Sequence, residues 1–178
     1  KNELKGRTLI HEVTFKLTKN NHIINASYGG ILDHLDSKNI SHPTIQDIAQ
    51  AVVEIRQAKL PDPNKIGNAG SFFKNPLIPK AQFDKLKENY PDIPGYEVAQ
   101  TDNIKVPAGW LIDRAGWKGK THGKVGVYKN QAWVLVNHGE GNGQEILSLS
   151  SAIIEDIDNQ YGIQLEREVN IIWSAIVS

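Results

Sequence analysis

Gly67-Asn68-Ala69-Gly70-Ser71-Phe72-Phe73-Lys74-Asn75-Pro76 concentrates groups that can do chemistry in ten residues. Glycine permits positive φ and close approach of a ligand to the backbone. Ser71 brings a hydroxyl directly after that flexible point, Phe72 and Phe73 can exclude water, and Lys74 and Asn75 add donors. Small backbone, one hydroxyl, apolar walls and a few polar groups are the ingredients of a site. The same residues also suit a turn with two core phenylalanines. Arg56 and Lys59, three apart near a helix end, suit a diphosphate or a solvated helix terminus. Tyr28, before Gly29-Gly30, can close over a ligand or cover the edge of a core. Glu168 lies on the polar face of the last strand and matters only if that face closes a site.

The elements that must position these groups follow from periodicity. Thr8 to Leu17 alternates, with Leu9, His11, Val13, Phe15 and Leu17 on one face, which predicts a half-buried strand. Ser27 to Leu32 predicts a loop leading into a short helical turn. Thr44 with Asp47 resembles a capping box, and Ile45, Ile48, Ala49, Val52 and Ile55 predict the buried face of the next helix. Arg56 and Lys59 suit the last turn of that helix, and Leu60-Pro61-Asp62-Pro63 stops it. The Gly67–Pro76 run reads as turn-rich. Pro79 suits the first position of a helix carrying Phe83, Leu86 and Tyr90. Pro107 to Asp113 predicts a short helix closed by Gly116. Val125–Tyr128 and Ala132–Val136, across Lys129-Asn130-Gln131, predict a hairpin. Ile146, Leu149, Ile153, Ile157 and Tyr161 predict a long amphipathic helix ended by Gly162. Ile163, Leu165, Val169 and Ile171 alternate with Gln164, Glu166, Glu168 and Asn170 in a last strand.

Composition narrows the function classes. The 178 residues include 39% hydrophobic and 22% charged residues, ordinary values for a globular chain. Twenty basic residues balance 20 acidic ones, which argues against a dedicated nucleic-acid binder. Lys105, Lys118, Lys120, Lys124 and Lys129 read as a solvated face. The absence of cysteine excludes disulfides, thiolate zinc sites and thiol nucleophiles. The histidines show no metal-ligand spacing, so no metal is expected. No apolar run approaches a membrane span, and Lys118–Lys124 lacks the Walker pattern. The absence of Met and the strand-like start suggest a piece of a longer protein.

Several motifs, in one order, resemble the UDP-N-acetylenolpyruvoylglucosamine reductases of bacterial peptidoglycan synthesis. They are Ser27-Tyr28-Gly29, Lys59-Leu60-Pro61-Asp62-Pro63, Gly67–Pro76, Tyr90-Pro91-Asp92-Ile93-Pro94-Gly95-Tyr96, Ala108-Gly109-Trp110-Leu111-Ile112-Asp113, Lys118-Gly119 and Leu165-Glu166-Arg167-Glu168-Val169. The resemblance covers nearly the whole chain. It implies an FAD enzyme of the cytoplasm that uses NADPH to reduce the enolpyruvyl ether of a UDP sugar. It implies Ser71 as proton donor and Glu168 as the group that stabilises charge on the substrate carboxyl, as a protonated acid or through a hydrogen bond. Tyr28, Lys59, Asn75, Tyr96, Lys118 and Gln131 carry over as substrate contacts, and Arg56 as a flavin contact.

The implied fold is α+β, an antiparallel sheet with packed helices plus the end of a flavin-binding domain. Residues 1–60 would finish that domain, 61–161 would bind substrate, and 162–178 would return as a strand to the flavin-binding part. Asn170 stands where relatives can carry arginine, so a positive charge near Glu168 is missing. The family's third catalytic group, an arginine, is expected upstream of Lys1 with most of the flavin site. The isolated chain is therefore expected to hold no FAD and to show no turnover. The alternative is a non-catalytic nucleotide-sugar-binding module.

Overall fold

The computed structural model describes residues 8–172. Residues 1–7 of the first expected segment and 173–178 of the last lie outside the described residues. The chain divides into two units, Lys1–Ile55 and Arg56–Ser178. The division falls inside a helix, short of the Leu60–Pro63 stop.

The first unit has a small core. Helix α1 (Ile31–Ser37) enters through Gly29 and Gly30, both at positive φ, as the double glycine suggested. Helix α2 (Ile45–Lys59) begins at the expected box. The Thr44 N–H donates to Asp47 Oδ2 at 2.8 Å, and the Asp47 N–H donates to Thr44 Oγ1 at 3.3 Å. Ile31, Leu35 and Ala51 form the core, with Ile48 and Ile55 against it. This corrects the expected face of α2: Ile45, Val52 and Ala49 are exposed. The seven-residue α1 covers only the stripe through Ile48, Ala51 and Ile55. The expected strand over Thr8–Leu17 is also corrected. These residues are irregular and exposed, Leu9 by 90% and Phe15 by 75%. Alternation specifies a strand only where another strand accepts its hydrogen bonds and something covers its apolar face. The described residues supply neither.

The second unit holds the larger core and has an α+β fold. A four-stranded antiparallel sheet runs in the order β1-β7-β6-β5, built from β1 (Gly67–Ser71), β5 (Thr121–His122), β6 (Val125–Val127) and β7 (Val134–Asn137). A three-stranded sheet runs in the order β2-β4-β3, built from β2 (Leu77–Pro79), β3 (Tyr96–Glu97) and β4 (Asn103–Lys105). Helices α3 (Lys80–Asn89), α4 (Ala108–Arg114) and α5 (Gly143–Tyr161) complete the unit. The expected hairpin is β6 and β7, paired from Val125↔Asn137 to Val127↔Leu135. Alternating valines with small neighbours suit this strand pair, which is buried throughout except at Asn137.

Helix ends follow local chemistry. Asn142 and Glu145 form a full capping box at α5, and Gly162 ends that helix at φ 63. After α4, the Gly116 N–H donates to the Asp113 carbonyl at 2.9 Å and the Trp117 N–H to the Ile112 carbonyl at 3.0 Å. This pair of bonds is a Schellman closure, with Gly116 at φ 77. The expected face of α5 holds: Leu149, Ile153, Ile157 and Tyr161 are buried, with Ile146 packed at the margin. Ile163 and Leu165, in the segment expected to return to a flavin-binding part, join this same core at 2% and 3% exposure.

Gly109 allows α4 to approach Trp133. A Cβ there would lie 2.1 Å from the indole Cε3. Gly109→Ala is therefore expected to destabilise the chain by about 1–3 kcal/mol, the usual cost of overpacking, read as a lower urea midpoint. In the first unit, hydrogen bonds from Lys38, then Gln50, then His34 hold the half-exposed Glu54 carboxyl down to about 2. Its folded value lies below the ordinary value of 4.5. Its stabilising effect is thus complete above that ordinary value and is lost as pH falls toward about 2. The expected result is a Glu54 carboxyl NMR titration midpoint near 2.

Candidate active site

The glycine-serine stretch is a bulged strand instead of a turn. β1 pairs with β7 at Gly67↔Asn137 and Asn68↔Val136, then at Ser71↔Val134. Between Asn68 and Ser71 the strand carries one residue more than its partner, and Gly70 has φ 70. A bulge of this kind re-aims the next side chain. The aimed side chain is Ser71. Ser71 is an exposed residue, and its hydroxyl makes only a long, part-buried 3.4 Å contact to the Phe73 carbonyl. That contact is weak enough to exchange for another partner.

The residues after Ser71 are firmly held. Phe72 and Phe73 are 4% and 2% exposed, with their rings edge-on at 5.3 Å. The Phe72 N–H donates to the Trp133 carbonyl at 2.9 Å. On the other side lies the last segment. The Glu168 N–H donates to the Phe72 carbonyl at 2.9 Å, and the Lys74 N–H donates to the Glu166 carbonyl at 2.8 Å. These two bonds flank an antiparallel bridge, Phe73↔Arg167. The expected last strand is thus a single bridge. Its alternation survives in burial only in part: Ile163 and Leu165 are buried and Val169 is half-buried, Gln164, Glu166, Glu168 and Asn170 are exposed, and Ile171, expected on the apolar face, is 40% exposed. Ser71 and Glu168 therefore sit on neighbouring backbone segments, one residue out of register. The described residues leave Glu168 exposed, so they do not enclose its carboxylate.

Arg167 supplies the anchor that residue spacing did not single out. Its Nε donates to Ser150 Oγ at 2.8 Å and its Nη2 to Ser151 Oγ at 2.7 Å, both on α5. Ser150 is fully buried. Lys74 and Glu166 add an ion pair across the same two segments. The signal was present in the sequence: a charged residue lies on the apolar side of an alternating strand, between Leu165 and Val169. Such a residue requires a buried partner.

The expected substrate contacts fall into groups. Asn75 follows Lys74, and its Oδ1 accepts the Ala108 N–H at 2.9 Å. It thus caps the start of α4 and leaves its Nδ2 as the donor for a ligand. Tyr96 is 61% exposed. It forms a cross-strand row with Lys105 and Leu77, two residues beyond Asn75. Lys118 and Gln131 lie on two loops, and Lys59 ends α2 beside them. Asn130, beside Gln131, donates from Nδ2 to the Ala58 carbonyl at 3.0 Å, beside Lys59. Gly119, beside Lys118, neighbours Lys129: an added Cβ would lie at an ordinary contact distance, 3.8 Å, from the Lys129 Cα. The Lys118 ammonium pairs with Asp113 Oδ2 at 2.6 Å. Tyr28 belongs to the first unit and is 85% exposed. Arg56 is exposed in the last turn of α2.

A cavity of about 220 Å³ lies beside the bulge, lined by Gly67, Asn68, Ala69, Phe72, Leu135, Asn137 and Ile146. It is smaller than an ordinary small-molecule site. No group of metal-ligating side chains occurs among the described residues. No described helix is long and apolar enough to cross a membrane.

By class, this is an α+β domain with an exposed serine on a bulged strand and lysines at a helix end and on a neighbouring loop. Residues 62–172 match the family described as UDP-N-acetylenolpyruvoylglucosamine reductase, C-terminal domain. A UDP-N-acetylenolpyruvoylglucosamine reductase of Flavobacterium johnsoniae is 52% identical over 172 residues, 97% of this chain and 51% of the relative. The reductase of Pseudomonas aeruginosa is 43% identical over 165 residues, 93% of this chain and 48% of the relative. That of Bdellovibrio bacteriovorus is 45% identical over 168 residues, 94% and 49% respectively. The chain belongs to the UDP-N-acetylenolpyruvoylglucosamine reductase family, and it spans about half the length of the curated relatives it matches.

The observed cap contact of Asn75 and its expected ligand contact separate in two variants. Asn75→Ala leaves the buried Ala108 N–H without its acceptor and is expected to cost about 1–3 kcal/mol. Asn75→Asp keeps the acceptor and should retain most of that stability, while losing the Nδ2 donor. Urea unfolding reads the first effect, and UDP-sugar titration of Asn75→Asp reads the second as weaker binding.

Proposed function

We propose that the chain is the substrate-binding and proton-donating portion of a flavoenzyme that reduces UDP-N-acetylglucosamine enolpyruvate to UDP-N-acetylmuramate in bacterial peptidoglycan synthesis. In this reading residues 1–60 complete a flavin-binding domain, residues 61–161 bind substrate, and the protein works in the cytoplasm. Arg56 would be an edge contact for FAD, which when bound would supply the hydride, with NADPH as the reductant. Family membership supports the reaction class. The single observation that carries the site is the bulge that leaves Ser71 exposed beside the bridge holding Glu168.

The chain's own contribution is binding and one proton. Lys59 and Lys118 neutralise the diphosphate, while Asn75, Gln131, Tyr96 and Tyr28 hold or cover the nucleotide sugar. Once hydride has reached the β-carbon of the enolpyruvyl group, the double-bond pair moves toward the α-carbon and carboxylate. Ser71 Oγ–H donates its proton to the α-carbon, and the serine is reprotonated from solvent before the next turnover. A serine is a weak acid, so the step depends on rigid placement. The bulge, the buried phenylalanines and the Arg167 anchor provide that placement. Glu168 stabilises the charge that develops on the substrate carboxyl.

Supplied with a flavin-binding half, the chain should support NADPH oxidation that requires the enolpyruvyl UDP sugar. Ser71→Ala should lower kcat about 10²–10⁴-fold, the usual share of a positioned proton donor, with substrate affinity nearly unchanged. Silence from a folded, FAD-loaded complex would favour the non-catalytic binding module instead.

A further inference from the structure

Asp113 is not among the proposed substrate contacts, yet it is built into the setting of Lys118. The Asp113 carbonyl accepts the Gly116 N–H at 2.9 Å, and its carboxylate meets the Lys118 ammonium at 2.6 Å. Between them the chain reverses at Gly116, φ 77. Trp117 is then pinned from a third side, its indole N–H donating to Asp156 Oδ2 on α5 at 2.7 Å. The backbone on both sides of Lys118 is thus held, by the Schellman closure before it and after it by the Lys120 N–H, which donates to the Trp117 carbonyl at 3.0 Å. What remains free is the four-carbon lysine stem, and Asp113 fixes its far end.

The pair is 38% and 49% exposed at Lys118 and Asp113. At that exposure an ion pair adds little to folding stability. A carboxylate beside a lysine that is to bind a diphosphate is also unfavourable by charge alone. Its value lies in ordering a side chain that would otherwise lose its freedom when the ligand binds.

We propose that Asp113 is a positioning residue for diphosphate binding, holding the Lys118 ammonium pre-set for the phosphate oxygens. The proposal rests on the reading of Lys118 as a diphosphate contact. It opposes simple charge counting in sign: removing the carboxylate weakens the binding of an anion.

The test is a double-mutant cycle on the full 178-residue chain, with UDP as probe in isothermal titration at fixed salt. Asp113→Asn should raise the Kd for UDP about two- to tenfold, the scale of ordering one long side chain. Asp113→Glu should recover part of the loss. In a Lys118→Met background, Asp113→Asn should have no further effect. Thermal melts establish that each variant is folded, and Asp113→Ser carries the same cycle if Asp113→Asn does not fold. Equal or tighter UDP binding by Asp113→Asn would overturn the proposal. So would an undiminished loss in the Lys118→Met background, because Asp113 would then act by another route. Binding by the parent chain that Lys118→Met leaves unchanged would remove Lys118 as the diphosphate contact, and the proposal with it. A parent chain that does not bind UDP at all removes the underlying reading as well.

Discussion

Two backbone hydrogen bonds, Glu168 N–H to Phe72 carbonyl and Lys74 N–H to Glu166 carbonyl, join the glycine-serine strand to the last segment of the described chain. Their partners are more than ninety residues apart in sequence, so closing that loop is entropically expensive. Buried contacts on both sides offset the cost. Phe72 and Phe73 fill the core from one segment, Ile163 and Leu165 from the other. Arg167 then locks the pairing to α5 through Ser150 and Ser151. A slip of one residue would put Glu166 or Glu168 in place of Arg167, removing the donor to Ser150 and Ser151 and turning Leu165 away from the core. The register is therefore specified, and with it the placement of Glu168 relative to Ser71.

Helix α4 performs a related task for binding. Its first N–H holds Asn75, Gly109 receives Trp133, and Asp113 receives Lys118. Trp133 in turn supplies the carbonyl for the Phe72 N–H. One short helix thus references the loops that carry three of the proposed substrate contacts and the strand that carries the proposed proton donor. This explains why small residues stand at its start: a side chain at Gly109 would displace the indole. Sites built on regular elements are held more tightly than sites on loops alone, and here the loops borrow their precision from the helix.

Much of this was legible in residue patterns, and the exceptions have physical causes. Capping residues and apolar spacing foretold α2, α5 and the β6–β7 hairpin because those signals are local. Gly67–Ser71 reads as a turn because glycine and asparagine dominate it; its pairing with β7 depends on the valines of β7, which local sequence does not reveal. The alternation of Thr8–Leu17 is as regular as that of the last segment. One finds a partner in Phe73 and a core beneath it, and the other remains exposed. Pattern states what a strand needs, not whether the surrounding chain supplies it. For the site, motif order pointed to Ser71, Asn75, Lys118 and Glu168 as the proposed residues, but not to the side chains that hold them, because Arg167, Asp113 and Trp133 act through contacts distant in sequence or across a helix end.

The central physical claim is that the junction at Phe73 and Arg167 is a fixed feature of the folded chain. Amide hydrogen exchange, resolved residue by residue by NMR on the 178-residue chain, tests it directly. A fixed junction predicts that the Lys74 and Glu168 amides are strongly protected, and that Arg167→Met speeds the exchange of both together while leaving the β6–β7 pairing protected. Exchange of the Lys74 and Glu168 amides at the rate of an unstructured chain, with the β6–β7 amides still protected, would contradict it.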